Sequence, residues 1–146
     1  MPVSVALLIT GVVIVIAVAA GLVIRAQEGR RRTGGHMHLR TEDLSGRPLA
    51  PSATLVQFST VMCARCPQTR RLLGAIAREH EGVEHLEIDL TERNDLAARY
   101  RVLQTPTTFL VDASGAVLSR WGGIPDRRTI DQELASLLTR HPQEQS

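Results

Sequence analysis

A long stretch without charge at the amino end divides this chain of 146 residues into two parts. Residues 3–24 carry 22 uncharged and mostly apolar side chains, whereas the remainder is an ordinary mixture. At about 1.5 Å of rise per residue, a helix of this length matches the roughly 30 Å core of a bilayer. A buried helix of a soluble protein rarely lacks a polar stripe over such a distance. We therefore predict a transmembrane anchor at residues 1–25, with residues 3–24 in the membrane.

A cleaved signal peptide is the main alternative for this stretch. Signal peptides open with a basic segment, but residues 1–4 carry no charged side chain. Their apolar core is also shorter than the one found here. We expect the anchor to stay uncleaved and to cross the membrane once.

The charges that flank the anchor predict its orientation. Arg25, Arg30, Arg31 and Arg32 follow the apolar stretch, and no basic side chain precedes it. Because basic residues are retained on the cytoplasmic side, we expect the soluble part on the cytoplasmic face, with the extracytoplasmic face as the alternative. The same arginines could contact anionic lipid headgroups, although a solvated segment is the simpler interpretation.

Residues 26–38 are polar and rich in glycine and arginine, which predicts a flexible basic linker. His36 and His38 lie in it, but two histidines are too few to indicate a metal site. The net charge of +2 is too small to indicate a nucleic-acid partner. We expect one folded domain over residues 39–141 and a tail at residues 142–146.

Hydrophobic periodicity within this domain predicts alternating strands and helices. The predicted elements, in order, are strand 53–59, helix 63–80, strand 83–90, helix 91–101, strands 107–111 and 116–121 around a turn at 112–115, and a helix opening at Pro125. A long helix joins the first two strands, so they should be parallel, whereas the last two form a hairpin. The sequence therefore predicts an α/β domain with a mixed sheet.

The two cysteines of the chain, Cys63 and Cys66, lie where the first of these strands meets its helix. A loop this short would add little stability as a structural cross-link, so the pair needs a chemical explanation. Residues three apart share a helix face, which lets the two sulfurs bond or separate. The helix amino terminus and the cation of Arg65 favour a thiolate at Cys63, while Cys66 should be buried and protonated.

These two environments predict thiol–disulfide exchange. Cys63 would attack a disulfide of a protein substrate, and Cys66 would then resolve the mixed disulfide. Such an enzyme needs no bound cofactor beyond its own redox-active disulfide, only a redox partner that recycles it. The alternatives are a zinc or copper site, the latter with Met62 assisting, and an adaptor whose pair is vestigial. A zinc site would need two further ligands.

A second motif, Thr105-Pro106-Thr107, follows about forty residues after the cysteines and precedes the hairpin. With the Cys-x-x-Cys at the opening of a helix, it makes residues 53–141 resemble the thioredoxin family. The resemblance implies a three-layer sandwich around a mixed central sheet. It also implies that Pro106 is cis, that its loop lies against the cysteines, and that the backbone of Thr105 pairs with a substrate chain.

The chain departs from this family at several positions. Met62 stands where the family usually has tryptophan, and Ala64-Arg65 replaces Gly-Pro between the cysteines. Gln57 and His85 stand where the family has a buried Asp and a Lys, and Gln57 cannot accept a proton as a carboxylate does. Arg65 should shift the couple towards the oxidising side by stabilising the thiolate.

Two further expectations concern the domain around this site. The strand and helix that usually open a thioredoxin are not expected, because residues 39–52 are few and rich in turn formers. Trp121 could be a substrate-binding aromatic, but a lone tryptophan in a small domain is more often a core residue, which is what we expect.

Overall fold

The computed structural model describes residues 2–27 and 29–140. Its first element is helix α1 (Val3–Gln27), which has 25 residues, all of them exposed. The helix is about 37 Å long at the usual rise per residue. Its mean hydropathy reaches 3.0 over an 18-residue window. Helix α1 is thus long and apolar enough to cross a membrane, a property that signal sequences share.

The remaining elements form a five-stranded sheet flanked by helices. In chain order they are β1 (Arg31–Thr33), β2 (Ala53–Ser59), α2 (Cys66–Glu79), β3 (Val83–Asp89), α3 (Asn94–Arg99), β4 (Thr107–Asp112), β5 (Val117–Gly122) and α4 (Arg127–Arg140). The strand order is β1-β5-β4-β2-β3. Strands β2 and β3 are parallel, and β4 is antiparallel to both β2 and β5. The predicted mixed sheet is confirmed.

Two hydrophobic clusters cover the two faces of the sheet. On one face, α2 and α4 contribute Leu73, Ile76, Ile130 and Leu134 to a cluster that includes Trp121. On the other face, side chains of α3 and of the segment before β2 pack on the opposite residues of the strands; they include Leu39, Leu44, Leu96, Phe58 and Phe109. Helix, sheet and helix therefore make three layers, as expected from the sequence. Strand β2, in the middle of the sheet, is buried along its whole length.

The tryptophan is part of this core. Trp121 is fully buried, and its Nε1–H donates to Thr129 Oγ1 at 2.9 Å. The indole N–H thus has a hydrogen-bond partner in the first turn of α4, which is the usual arrangement for a buried indole. The expectation of a core residue is confirmed.

The segment before β2 is fixed to the domain by a buried polar cluster. It contains one 3-10 turn, Thr41–Leu44. Asp43 accepts hydrogen bonds from Arg99 at 2.7 and 2.8 Å and from the hydroxyl of Tyr100. The same hydroxyl accepts the Arg40 N–H at 3.1 Å. This short turn stands where an opening helix was not expected, as predicted. Among the described residues, no further strand pairs with β3, so β3 forms one edge of the sheet.

Helix α2 begins later than predicted, at Cys66 rather than near Cys63. Pro67 explains the difference. A proline ring clashes with the carbonyl four residues earlier when that residue is helical, and here that residue is Cys63. Proline is well tolerated in the first turn, where no internal N–H bond is lost. Cys63 therefore lies in the turn that leads into the helix.

The predicted flexible linker, residues 26–38, is instead partly paired with the sheet, through Arg31–Thr33 and a backbone bridge at His38. Strand β1 pairs antiparallel with β5, and the Gly29 N–H donates to Gly122 O at 2.7 Å. A Cβ on Gly34 would lie 2.0 Å from Val117 O. The glycines that suggested flexibility thus allow close backbone contact with β5. The folded part begins at Gly29 rather than at residue 39, and the predicted tail, 142–146, lies outside the described residues.

Candidate active site

The two cysteines lie beyond the carboxyl end of β2 and are joined as a disulfide, with 5.4 Å between their Cα atoms. Cys66, the first residue of α2, is 2% exposed, whereas Cys63 is only half-buried. Met62 is 89% exposed beside it, and Arg65, also exposed, is the residue before the helix. One sulfur is therefore open to a partner and the other is enclosed.

Threonines hold the turn that carries Cys63. The Cys63 N–H donates to Thr60 O at 3.2 Å, and the Val61 N–H donates to Thr91 Oγ1 at 3.0 Å. Thr60 and Thr91 are site residues that no sequence motif had singled out. Their position offered a signal, because both follow the carboxyl ends of adjacent parallel strands, where sites of α/β proteins collect.

The loop before β4 lies beside this turn. The Thr105–Pro106 peptide bond is cis, as the family resemblance implied. Thr105 Oγ1 lies 3.5 Å from Thr60 Oγ1, and Pro106 O accepts the Gly123 N–H at 2.8 Å. Pro106 is buried and Thr105 half-buried. Thr60 therefore contacts both the cysteine turn and the cis-proline loop, which places the two predicted motifs at one end of the sheet.

A polar pair lies under the buried sulfur. Gln57 is fully buried, and its Nε2 donates to Cys66 O at 3.0 Å. Its Oε1 lies 3.0 Å from His85 Nε2. Because an amide oxygen can only accept, His85 must carry a proton on Nε2, and it can gain another only on Nδ1. Gln57 lies on β2 and His85 on β3, so the two residues that depart from the family pattern contact each other.

Two charged side chains flank this pair. Burial lowers the pKa of His85, while the Glu87 carboxylate acts to raise it and Arg70 to lower it further. The hydrogen bond from Arg70 lowers the pKa of Glu87, against the opposing effect of burial, and a bond from Ser59 also lowers it. Arg70 Nη2 donates to Glu87 Oε1 at 2.7 Å, and Ser59 Oγ donates to the same atom at 2.7 Å. Near neutral pH, the pair beneath Cys66 is thus uncharged, with an ion pair beside it.

Residues 47–136 match the family model for thioredoxin. The chain belongs to the thioredoxin family. It is similar in fold to Deadhead of Drosophila melanogaster, with 22% identity over 60% of this chain and 82% of that chain and a TM-score of 0.52. Mitochondrial thioredoxin 3 of Saccharomyces cerevisiae is 19% identical over 59% and 79% of the two chains, with a TM-score of 0.51. Thioredoxin of Trichomonas vaginalis is 26% identical over 60% and 80%, with a TM-score of 0.52.

A sequence search among curated proteins finds no significant match. The thioredoxin match begins at residue 47, so α1 and β1 lie outside it. Both cysteines, the cis-proline and the Gln57–His85 pair lie inside it. The residues around the disulfide thus lie within the family match, while the amino-terminal helix and the edge strand β1 lie outside it.

Among the described residues, no three or more His, Cys, Asp or Glu side chains are grouped to share a metal ion. The metal-binding alternative therefore depends on the two thiols and on ligands from elsewhere. His36 and His38 lie in the segment that follows β1, and His38 forms a bridge with Ala116 through its backbone.

Proposed function

We propose that this chain is a membrane-anchored thiol–disulfide oxidoreductase that exchanges disulfides with protein substrates through Cys63 and Cys66. The observation that supports this most is the asymmetry of the disulfide, which pairs a half-buried sulfur with an enclosed one at the start of a helix. Membership of the thioredoxin family supports an oxidoreductase in general. No bound cofactor is needed, because the disulfide itself carries the two electrons.

In the reducing direction, the dithiol form begins the reaction. The Cys63 thiolate attacks one sulfur of a substrate disulfide, so that the substrate bond breaks and one substrate cysteine leaves as a thiolate. Cys66 then gives up its proton and attacks Cys63, which releases the second substrate thiolate and closes the Cys63–Cys66 disulfide. Two electrons pass to the substrate. An unidentified redox partner restores the dithiol, and the reverse steps oxidise a substrate dithiol.

The surroundings of Cys63 support its role as the nucleophile. It lies just before the amino terminus of α2, where the helix dipole and unpaired N–H groups favour an anion. Arg65 adds a positive charge nearby. Val61 and Met62 are 72% and 89% exposed and form an apolar rim for a substrate chain. We expect the backbone of Thr105, on the cis-proline loop, to pair with the same chain.

Helix α1 would hold this domain at the membrane. We propose that residues 3–24 span the bilayer once, with the soluble domain on the cytoplasmic face, since arginines follow the helix. A cytoplasmic setting favours work as a reductase. A membrane-impermeant thiol reagent applied to reduced whole cells should label Cys63 only after permeabilisation. Labelling of intact cells would show that the domain lies on the other face of the membrane, and it would not bear on the proposed chemistry.

Reduction of insulin disulfides tests the chemistry. We expect Cys63→Ser to abolish turnover and Cys66→Ser to accumulate a mixed disulfide with the substrate. Ala64→Ser, which changes the residue between them and keeps both thiols, should retain turnover. An unchanged rate for Cys63→Ser would refute the mechanism. One equivalent of firmly held zinc or copper in the purified reduced protein would instead support the metal-binding alternative.

A further inference from the structure

Two arginines face each other across the edge of the sheet. In the β1–β5 pairing, Arg32 lies directly opposite Arg120. Like charges at directly paired positions destabilise a sheet. The neighbouring Arg31, on the other face, is neutralised, because its Nε lies 2.9 Å from Glu133 Oε1. Glu133 thus balances the charge on one face of β1, whereas Arg32 and Arg120 make the other face positive.

These two arginines line a pocket with two more. Arg30, Arg32, Arg101 and Arg120 surround a cavity of about 380 Å³. Within residues 2–27 and 29–140, no carboxylate lies within ion-pair distance of any of the four. Four guanidinium groups around one cavity, with no carboxylate partner among the residues that the structure describes, make a site for an anion.

Arg120 is held in place at this site. Its guanidinium lies over the Phe109 ring at 5.1 Å, and its Nη2 donates to Arg101 O at 2.9 Å. Burial lowers its pKa, and the positive charges of Arg32 and Arg101 lower it further. Arg120 is thus a fixed, half-buried cation that is repelled by the neighbouring cations. An anionic ligand bound there would offset the repulsion among the arginines.

The pocket is close in sequence to the end of the apolar helix. Gln27, the last residue of α1, also lines it. The first residue tied to the sheet is Gly29, and Arg30 follows. The three residue steps from Gln27 to Arg30 span at most about 11 Å, so the pocket lies close to the end of the helix. With α1 in a bilayer, the cavity lies at the level of the lipid headgroups.

We propose that this arginine pocket binds the phosphate of an anionic lipid headgroup and so docks the domain on the membrane surface. The proposal rests on the membrane anchoring proposed above. Planar guanidinium groups match phosphate oxygens in pairs, and the cytoplasmic leaflet supplies such lipids. Leu103, 95% exposed, lies on the pocket's rim, where its side chain would meet the acyl boundary.

Docking at this pocket would also orient the active site. Gln104 and Thr107, which flank the cis peptide, line the same cavity. A lipid bound there would hold the Thr105–Pro106 loop beside the bilayer. Substrate chains would then reach the cysteines from the membrane side of the domain.

The test uses the full chain in nanodiscs of phosphatidylcholine or of its equimolar mixture with phosphatidylglycerol. Fluorescence of the single, buried tryptophan reports thermal unfolding. In the wild type we expect phosphatidylglycerol to raise the midpoint by about 5 °C, the shift expected for a domain of this size when ligand is about tenfold above its dissociation constant. Arg32→Gln/Arg120→Gln should lose most of that rise, and Arg78→Gln/Arg128→Gln, with the same change in charge, should keep it.

Three results would overturn the proposal. They are no rise in the wild type, an undiminished rise in the Arg32→Gln/Arg120→Gln variant, and an equal rise when inorganic phosphate is added to phosphatidylcholine discs, which would assign the pocket to a soluble anion. Should loss of the Arg120 contacts prevent folding, Arg32→Gln alone gives the same comparison. Co-elution with the discs and insulin reduction before heating test anchoring and chemistry separately.

Discussion

Gln57 and His85 are hydrogen-bonded to each other, with 3.0 Å between Oε1 and Nε2, beneath the first residue of α2. The other end of the Gln57 amide donates to the carbonyl of Cys66. The enclosed sulfur thus sits above a neutral pair, and a carboxylate that could take its proton is replaced by an amide. Two predictions follow from this arrangement, one for the rate of the resolving step and one for stability against pH.

Replacing Gln57 by a carboxylate should accelerate resolution. Gln57→Glu would place a proton acceptor near Cys66, and decay of the mixed disulfide should quicken by about 10- to 100-fold, at or below the lower end of what a positioned general base contributes. Rapid quench of the mixed disulfide measures this. Gln57→Met, which has a similar shape but no acceptor, is the control. If Met accelerates decay as much as Glu does, proton transfer is not what limits resolution.

His85 should make the fold less stable in mild acid. Burial lowers its pKa in the folded chain below the unfolded value near 6.5, so the unfolded chain binds the proton first as pH falls. The free energy of unfolding should therefore decline from pH 7 through about 6.5 and below, before the carboxylates titrate. Urea unfolding across this range should show the decline in the wild type and not in His85→Gln. His80→Gln should keep the decline. If the decline persists in His85→Gln, another titrating group causes it.

Tyr100 should stabilise the segment that precedes β2. Its hydroxyl donates to Asp43 in a buried setting and accepts the Arg40 N–H in a half-buried one. Tyr100→Phe leaves both partners short of a bond, at a cost of about 1–3 kcal/mol for a buried group. Chemical denaturation measures the loss. Arg93→Gln, which removes a partner of an exposed ion pair, should leave the midpoint almost unchanged, and an equal loss in both variants would show that burial is not the cause.

Gly34 should be required for the edge strand. A Cβ there would meet the Val117 carbonyl, so Gly34→Ala forces β1 away from β5, at a cost of about 1–3 kcal/mol if overpacking is a guide. Amide exchange in residues 29–34 should speed up together with the loss of stability. Gly74→Ala, on α2 with only ordinary contact at 3.7 Å, is the control. Unchanged protection of β1 in Gly34→Ala would contradict the pairing.

The elements with strong periodicity were predictable from sequence. The buried faces of α2 and α4 fall where apolar spacing placed them, because burial of one helix face against a sheet demands that spacing, and β2 falls where a short apolar stretch predicted a buried strand. The cysteine pair was evident from its position at a strand–helix junction. The cis geometry of Pro106, in contrast, came only from the family resemblance, since most X–Pro bonds in folded proteins are trans.

Other features could not be read locally. Strand β1 has three residues, Arg-Arg-Thr, and its conformation is decided by β5, which lies more than eighty residues away in sequence. The later start of α2 was predictable in principle, because Pro67 excludes a helical Cys63. Thr60 and Thr91 follow the ends of two strands that were predicted to be parallel, but which of their atoms hold the cysteine turn is decided only by the folded geometry.

Strand β1 also limits how far the domain can travel. A free linker of thirteen residues at positions 26–38 would let the cysteines move far from the helix. Instead, the chain is hydrogen-bonded to β5 from Gly29 onward. With α1 in the bilayer, the sulfurs stay at a nearly constant height above the lipid. Under the proposed anchoring, we expect disulfides in juxtamembrane segments of neighbouring membrane proteins to come within range, and those carried on distant, bulky assemblies to stay out of reach.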